Sequence, residues 1–328
     1  MNVLVTGGAG YIGSHTCKAL HRAGHLPVTY DNLSSGHAHA VKWGPLVVGD
    51  IADTTLLAAT LGAHDCQAII HFAAHAYVGE SVGDPLKYYA NNVAGTIGMI
   101  EAARIAGVKR IVFSSTCAVF GIPGLALIDE HAERRPINPY GRSKLMVETI
   151  LEDCWSAYGI ASMALRYFNA AGADPDGELG EEHDPETHLI PLVLQSALDP
   201  ARSISVFGTD YPTPDGTCIR DYVHVSDLAD AHVLALDAID RAPGFSACNL
   251  GTGRGVSISE VVAAASRLTN RKINVRHAPR RPGDPPELVA DPSRAQTELG
   301  WSARRSDLDT ILSDAWAWFK SQGADAKT

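Results

Sequence analysis

Residues 2–13 read NVLVTGGAGYIG, a short apolar run with β-branched residues that leads directly into glycines. The run predicts a buried β-strand. Residues 14–23, which follow the glycines, have the character of a helix. Gly7, Gly10 and Gly13 are spaced G-x-x-G-x-x-G between the two elements. Glycines there permit a tight turn and the close approach of a pyrophosphate, whose charge the helix N-terminus favours. The stretch therefore predicts the dinucleotide-binding loop of a parallel α/β sheet.

The second predicted strand, residues 27–30, ends at Asp31. A carboxylate about 20 residues after such a glycine loop can accept hydrogen bonds from the adenosine ribose hydroxyls and would repel a 2′-phosphate. Residues 32–36 contain no arginine that would bind that phosphate. The sequence therefore predicts NAD rather than NADP.

The alternation of strands and helices continues to about residue 169. We predict further strands at 46–48, 68–72, 110–113 and 161–168, and helices at 53–62, 84–106 and 140–157. Six strands alternating with helices predict an α/β fold, a doubly wound parallel sheet of the Rossmann type. Residues 1–169 are the expected NAD-binding domain, with a contribution from about 221–250.

The composition changes after residue 169. Residues 170–186 and 211–216 are rich in Gly, Pro and acidic residues and predict loops. Shorter elements follow: a strand near 204–207 and helices near 189–198, 226–240, 257–268 and 306–320. Residues 170–328 are therefore expected to form a smaller α/β domain that closes over the carboxyl edge of the sheet and binds the substrate.

Polar residues follow several predicted strands at this carboxyl edge. Ser114, Ser115 and Thr116 come directly after the strand at 110–113, and a proline just before Tyr140 predicts the start of a helix. Tyr140 and Lys144 are four residues apart, so both project from one helix face. A neighbouring ammonium favours the phenolate, and we expect Lys144 to lower the pKa of Tyr140 so that it acts as a general base.

Charge and composition exclude several classes of protein. The chain has 328 residues with 27 basic and 37 acidic side chains, a net charge of −10, and no basic block. Nucleic acid and membranes are therefore poor candidate partners. No charged leader opens the sequence and no run of about 18 apolar residues occurs, which predicts a soluble, cytoplasmic protein.

The cysteines and histidines form none of the common metal-binding sequence motifs. The six cysteines contain no C-x-x-C pair, and they are expected to be small buried hydrophobes. The pairs His71/His75 and His37/His39 lie outside any H-E-x-x-H context. We therefore predict no metal site.

Taken in order, the motifs resemble the extended short-chain dehydrogenase/reductase family. The glycine loop, Asp31, residues 114–116 and the Tyr140/Lys144 pair carry this resemblance. Residues 165–169 (LRYFN), 215–225 (DGTCIRDYVHV) and 280–284 (RRPGD) are similar to its UDP-glucose 4-epimerase branch. The similarity extends from residue 2 to about residue 320.

The resemblance implies roles for individual residues. Tyr140 would be the base for the sugar 4-hydroxyl, Lys144 would hold the nicotinamide ribose and lower the pKa of Tyr140, and Thr116 would share the sugar oxygen. Tightly bound NAD, regenerated in each turnover, is the implied cofactor. The implied NAD-binding residues are Gly7, Gly10, Tyr11, Ile12, Gly13, Asp31, Asn32, Asp50, Ile51, Phe72, Ala73, Ala74, Asn91, Ser114, Tyr140, Lys144 and Tyr167. The implied UDP-sugar-binding residues are Thr116, Tyr140, Asn169, His188, Leu189, Val206, Phe207, Arg220, Tyr222, Arg281, Asp284 and Leu288.

Within the superfamily, the residues after Thr116 narrow the reaction. Sugar-nucleotide 4,6-dehydratases of this superfamily carry Asp-Glu after the corresponding threonine, whereas this chain carries Cys117 and Ala118. The lack of a carboxylate at these two positions disfavours dehydration. It likewise disfavours the reaction of nucleotide-sugar decarboxylases, which carry a glutamate nearby. Phe120 replaces the tyrosine that the family pattern leads one to expect. The resemblance therefore implies interconversion of UDP-glucose and UDP-galactose by hydride transfer at sugar C4 through a 4-keto intermediate.

Several alternatives stay open. Leu288 aligns with the position that gates sugar size in the family, and its intermediate volume leaves UDP-N-acetylhexosamines as candidate substrates. UDP-pentoses such as UDP-xylose and UDP-arabinose are candidates as well. A net NAD-dependent nucleotide-sugar oxidoreductase and a catalytically idle NAD-binding module are the other readings. The resemblance also implies a homodimer formed through the helices near 84–106 and 140–157.

Overall fold

A seven-stranded parallel sheet forms the centre of the molecule, which was analysed as a computed structural model that describes residues 1–281 and 284–325. Its strands are β1 (Asn2–Thr6), β2 (Leu26–Asp31), β3 (Leu46–Val48), β4 (Cys66–His71), β5 (Arg110–Thr116), β6 (Ala161–Tyr167) and β11 (Phe245–Leu250). Between β6 and β11 the chain forms four short strands that belong to smaller sheets: β7 (Asn169–Ala171), β8 (Ile204–Phe207), β9 (Ile219–Arg220) and β10 (Tyr222–His224). The spatial order is β11-β6-β5-β4-β1-β2-β3. The predicted doubly wound Rossmann-type sheet is confirmed.

Helices cover both faces of this sheet. They are α1 (Tyr11–Arg22), α2 (Thr54–Ala63), α3 (Val78–Gly83), α4 (Pro85–Tyr88), α5 (Thr96–Ala106), α6 (Pro139–Tyr158), α7 (Leu189–Leu198), α8 (Val225–Arg241), α9 (Ile258–Thr269), α10 (Ser293–Leu299) and α11 (Leu308–Asp325). The remaining strands are β12 (Val256–Ser257), β13 (Val275–Ala278) and β14 (Glu287–Leu288). Among the helices of the described part of the chain, none is long and apolar enough to cross a membrane.

The alternation of side chains along β1 divides the core into two layers. Val3 and Val5 pack in one cluster with residues of α1 and α8, whereas Leu4 packs in the other with residues of α2, α5 and α6. All three side chains are fully buried. A parallel strand covered on both faces is apolar where both faces are buried, which is why residues 3–5 are a continuous apolar run.

A separate cluster packs α7, α9 and α11 against β8 and β13. The two-stranded sheet β7-β10 and the three-stranded sheet β12-β9-β14 connect this region to the end of β6. Lys18 of α1 spans the two regions, because its ammonium lies 2.6 Å from a carboxylate oxygen of the buried Asp174. The loop that follows β7 is thereby held against the first helix of the sheet.

Some elements differ from the sequence expectations. The expected long helix over 84–106 consists of α4, a π-helical segment Tyr89–Gly95 and α5. β5 continues through Thr116, so Ser114–Thr116 belong to the strand rather than to the turn after it. β11 joins the sheet beside β6, and α10 is an element that the apolar periodicity did not predict.

Candidate active site

The glycine loop forms a cradle that leaves no room for side chains. Gly7 has φ of +72°, and a Cβ on it would lie 2.6 Å from the backbone nitrogen of Ala73. A Cβ on Gly13 would lie 2.2 Å from the carbonyl oxygen of Gly7. Gly10 caps α1 and has no side chain to bond the first N–H groups of the helix, those of Tyr11 and Ile12. Such a helix end, next to Ala73 and Ala74 at the end of β4, fits a pyrophosphate.

The end of β2 supplies the carboxylate expected beside this loop. Asp31 is buried and its two oxygens accept hydrogen bonds from the backbone N–H groups of Ala9 at 3.0 Å and Leu33 at 2.8 Å. Asn32 donates to the Asp50 carboxylate at 2.9 Å, which ties the ends of β2 and β3 together. Ile51 is buried beside them. The structure thus brings four expected adenosine-side residues to one edge of the sheet.

The floor of the cleft consists of aromatic and hydroxyl groups at the ends of β4, β5 and β6. The rings of Phe72 and His232 lie 4.6 Å apart, and the hydroxyls of Ser114 and Tyr167 form a hydrogen bond. Asn91 lies in the π-helical segment and donates to Asn92 at 2.9 Å. Phe72, Ser114 and Tyr167 thus lie at the carboxyl edge of the sheet, the edge that also carries the glycine loop.

Lys144 is buried under this floor. Its ammonium donates to the carbonyl oxygen of Ser114 at 2.8 Å and lies 4.9 Å from the centre of the Phe113 ring. Burial lowers the pKa of Lys144 to about 7, against the opposing charge of Glu148. The side chain is therefore fixed in place, and its charge is sensitive to what occupies the cleft.

Tyr140 corrects one expectation. Burial raises the pKa of Tyr140 well above its ordinary value, with a smaller rise from Tyr167 and an opposing hydrogen bond from Thr116. Lys144, whose ammonium donates to the Ser114 carbonyl, is not among the main contributors to this shift. Desolvation of the phenolate is the largest contribution.

The start of α6 brings Tyr140 to Thr116. Asn138 caps the helix by accepting a hydrogen bond from the N–H of Gly141 at 2.8 Å, and Pro139 occupies the first turn. A Cβ on Gly141 would lie 2.5 Å from the carbonyl oxygen of Ala118, so glycine allows the helix to approach the segment that follows β5. The side chain of Thr116 is buried and accepts a hydrogen bond from the N–H of Ala118 at 3.2 Å.

A buried ion pair, which sequence reasoning missed, connects these elements. The Glu148 carboxylate accepts two hydrogen bonds from Arg166, at 2.9 and 2.6 Å, and one from the Ser115 hydroxyl at 2.6 Å. Glu148 is fully buried and the Arg166 side chain is only 3% exposed. Two features of the sequence could have indicated this ion pair: a glutamate one helical turn after Lys144 and an arginine inside a predicted buried strand. Charged side chains are buried only when they are paired, so each of the two required a partner.

The expected UDP-sugar residues gather on the short sheets above this floor. Asn169 pairs with Tyr222 between β7 and β10, and Arg220 pairs with Leu288 between β9 and β14. The guanidinium of Arg220 also forms an ion pair with Asp284.

Two further expected contacts lie at β8. Arg281 is exposed and stacks 4.0 Å from the ring centre of Phe207. Val206 packs in the core of the smaller region, so only its backbone can face a ligand. Pro282 and Gly283 of the Arg-Pro-Gly-Asp motif lie outside the described residues.

His188 and Leu189 stand at the start of α7, where His188 is the N-cap. The His188 imidazole lies against Glu181 and Glu186, and His183 lies against the same two carboxylates. Burial alone would lower the pKa of both histidines, but the carboxylates outweigh it and raise the pKa of His183 to about 9 and that of His188 to about 10. The spacing E-x-H-x-x-E-x-H was a signal that the sequence expectations overlooked.

The close packing at Gly13 predicts the effect of adding a methyl group there. In Gly13→Ala the new Cβ would meet backbone rather than a movable side chain, and the strain should reduce dinucleotide binding by about tenfold or more. Gly62→Ala is the matched control, since no atom lies within 4 Å of its added Cβ and Ala favours the helix. The measurement is the nucleotide released on denaturing each purified variant. Equal nucleotide content in the two variants would contradict the cradle.

Comparison with known proteins places this geometry in a family. The NAD dependent epimerase/dehydratase family matches residues 3–251. The UDP-glucose 4-epimerase of Rhizobium meliloti (strain 1021) is 51% identical over 317 residues, which cover 97% of this chain and 96% of the relative. These matches confirm the resemblance deduced from the motifs.

Solved structures agree along nearly the whole chain. UDP-glucose 4-epimerase from Brucella ovis in complex with NAD is 55% identical, with a TM-score of 0.94 over 97% of this chain and 98% of that one. UDP-glucose-4-epimerase from Stenotrophomonas maltophila with bound NAD and formylated UDP-arabinopyranose is 40% identical, with a TM-score of 0.95 and coverage of 99% for both chains. The chain therefore belongs to the NAD dependent epimerase/dehydratase family.

Proposed function

We propose that this protein interconverts UDP-glucose and UDP-galactose by NAD-dependent epimerisation at C4 of the sugar, through a 4-keto intermediate. The observation that carries the proposal is that Tyr140 and Lys144 lie four residues apart at the start of α6, with Tyr140 beside Thr116 at the end of β5 and Lys144 bound to the Ser114 carbonyl. The relatives at about half identity over the whole chain are UDP-glucose 4-epimerases, which supports the same reaction. Cys117 and Ala118 supply no carboxylate next to this site, which favours epimerisation over elimination of water.

The cleft fits NAD by its own chemistry. The cradle of Gly7 and Gly13 admits a pyrophosphate, and the buried carboxylate of Asp31 suits an unphosphorylated adenosine ribose. Ser114, Tyr167 and Lys144 would hold the nicotinamide side, with Asn91 farther along the groove. When bound, NAD would supply the hydride acceptor and the positive charge of its nicotinamide ring.

The protein's own residues handle the proton. The Tyr140 phenolic oxygen takes the proton of the sugar 4-hydroxyl and returns it after the sugar has presented its other face. Thr116 shares the hydrogen bond to that sugar oxygen and steadies it. Burial disfavours the phenolate of Tyr140, so positive charge that enters the cleft would favour loss of the phenol proton to solvent and leave the phenolate that accepts the sugar proton.

Arg220 and Arg281 are the cations that would bind the diphosphate, since planar guanidinium groups match phosphate oxygens. Asp284 would bind the uridine ribose next to Arg220, its partner in the ligand-free ion pair. Asn169, Tyr222, His188 and Leu189, with Val206 and Phe207 of β8, complete the binding surface. Tight nucleotide contacts and few sugar contacts would let the keto sugar turn over without leaving.

We further propose that different segments of the chain bind the cofactor and the substrate. Residues 1–169, together with about 221–250, would bind NAD, and residues 170–328 would bind the UDP-sugar. β11 lies beside β6 in the main sheet, which supports assigning residues 221–250 to the NAD-binding domain.

All six cysteines are buried and unpaired, which supports a reducing compartment, the cytoplasm.

We also propose that the protein is a homodimer through α5 and α6. Ile97 and Ile105 are 50% and 60% exposed on one face of α5, and Met146, Trp155 and Tyr158 are exposed on α6. An apolar surface of this kind on two neighbouring helices is typical of an interface.

Ile105→Asp tests the dimer. A charge in the proposed interface should yield a monomer at micromolar concentration by light scattering, because an unpaired buried charge costs several kcal/mol. Leu268→Asp is the matched control, since Leu268 is 39% exposed on α9, away from these helices. A dimer that survives Ile105→Asp, or a wild-type monomer, would contradict this interface.

Epimerisation is tested by mixing the purified protein with UDP-galactose and no added cofactor. UDP-glucose should form, and Tyr140→Phe should lower kcat by about 100-fold or more while UDP binding remains. A parallel panel of UDP-N-acetylhexosamines and UDP-pentoses measures preference at Leu288. Absence of UDP-glucose while another UDP-sugar is epimerised would overturn the substrate, and turnover only with added NAD or NADH would indicate a net oxidoreductase. Full activity of Tyr140→Phe would overturn the assignment of the base.

A further inference from the structure

The loop before α7 gathers four side chains with metal-binding groups. One ligand atom each of Glu181, His183, Glu186 and His188 lies within 4.8 Å of all the others. Both carboxylates are buried, since the side chains of Glu181 and Glu186 are only 5% and 7% exposed. A single short segment, residues 181–188, therefore brings two imidazoles and two carboxylates together.

The distances inside this cluster suit a small cation. His183 Nδ1 lies 3.2 Å from Glu181 Oε1 and 3.6 Å from Glu186 Oε2. His188 Nδ1 lies 2.8 Å from Glu181 Oε1 and 3.0 Å from Glu186 Oε1. Ligands at about 2.0–2.2 Å around a tetrahedral Zn²⁺ are about 3.4 Å apart. Three of the separations are shorter than that spacing and one is longer, and Glu186 enters them through two different oxygens, so an ion would require the side chains to move apart and Glu186 to turn one oxygen toward it.

An unpartnered atom distinguishes this cluster from two ordinary ion pairs. His183 Nδ1 is buried and has no hydrogen-bond partner among the described residues, although two carboxylates lie close to it. The imidazole and the carboxylates are therefore near one another without the geometry of a hydrogen bond. Atoms that point toward a shared third atom have this arrangement, and a buried unsatisfied group calls for such an explanation.

Backbone contacts hold one carboxylate in a suitable orientation. Glu186 Oε1 accepts hydrogen bonds from the N–H groups of Thr187 at 2.7 Å and His188 at 2.8 Å. These bonds fix the carboxylate and leave Oε2 directed toward His183. Hydrogen bonds to metal-ligating carboxylates act in this way in known metal sites.

We propose that Glu181, His183, Glu186 and His188 form a divalent cation site suited to Zn²⁺. Two carboxylates neutralise the charge of the ion, and imidazole with carboxylate is a ligand set that Zn²⁺ accepts. Four protein ligands would fill a tetrahedral coordination sphere, so the ion is structural, and His188 would contact the substrate only through atoms other than Nδ1. It takes no part in proton or hydride transfer.

The position of the site gives it a role in the fold. The His183 ring lies 6.2 Å from that of Tyr11 at the glycine loop and 6.1 Å from that of Tyr77. His188 is the N-cap of α7, where the substrate contacts are expected. An ion here would tie the start of α7 to the loop 181–188 at the seam between the cofactor and substrate elements.

A neighbouring cluster provides the control. His37, His39 and Glu182 also offer three ligand atoms, but both histidines are exposed. Asp174, Asp176 and Glu178 form a third group, which the Lys18 ammonium already occupies. His39→Gln therefore removes an imidazole nearby without touching the proposed site.

The experiment is calorimetric titration of Zn²⁺ into the chelator-treated, dialysed full-length protein, with metal content measured before treatment. Wild-type protein and His39→Gln should bind one ion with equal affinity. His183→Gln and Glu181→Gln should bind at least about tenfold more weakly, since each removes one ligand. Zn²⁺ should also raise the melting temperature of wild type and His39→Gln, but of neither ligand variant.

Each other outcome would overturn the site. No binding by the wild type at micromolar Zn²⁺ excludes it, and equal binding by His183→Gln places any ion elsewhere. Loss of binding in His39→Gln with retention in His183→Gln assigns the ion to the exposed cluster. Circular dichroism and retained nucleotide establish that each variant is folded. Because the readout is binding, it does not depend on the proposed epimerase activity.

Discussion

The buried ion pair between Glu148 and Arg166 is the interaction on which the arrangement of the active site depends. It joins α6, β5 and β6, since Glu148 accepts from Ser115 as well as from Arg166. Lys144 lies one helical turn before Glu148, Ser114 and Thr116 flank Ser115, and Tyr167 follows Arg166. Desolvating two charges costs several kcal/mol, which this geometry offsets with four hydrogen bonds to Glu148, two from Arg166 and one each from Ser115 and Arg134. The Glu148–Arg166 ion pair thus positions the functional groups, although none of them takes part in it.

The same dry interior determines the electrostatics of the site. Burial lowers the pKa of Lys144 to about 7 and raises that of Tyr140. Both groups are therefore held close to, or in, their neutral forms, because a charged form lacks solvation there. A cleft of this kind responds strongly to an incoming charge, which suits a base that must act only when its cofactor and substrate are bound.

Much of this could be predicted from the sequence because local patterns carry it. The apolar run at residues 2–6 has one structural solution in a covered parallel sheet, and the spacing of Tyr140 and Lys144 places them on one helix face. The Glu148–Arg166 pair could not be predicted, because its members are distant in sequence and charged residues usually lie on the surface. The raised pKa of Tyr140 could not be predicted, because the burial that causes it depends on residues distant in sequence, Tyr88 and Tyr167 among them. The cluster at 181–188 was local, but its spacing matches no common motif.

The central claim is that one bound cofactor takes the hydride from sugar C4 and returns it to the same carbon, while Tyr140 exchanges only the hydroxyl proton. UDP-galactose carrying deuterium at C4 tests this most directly, when converted in ordinary water and analysed by NMR and mass spectrometry. The account predicts UDP-glucose that retains the deuterium at C4. Loss of the deuterium to solvent would show that the carbon is deprotonated instead, and would contradict the account.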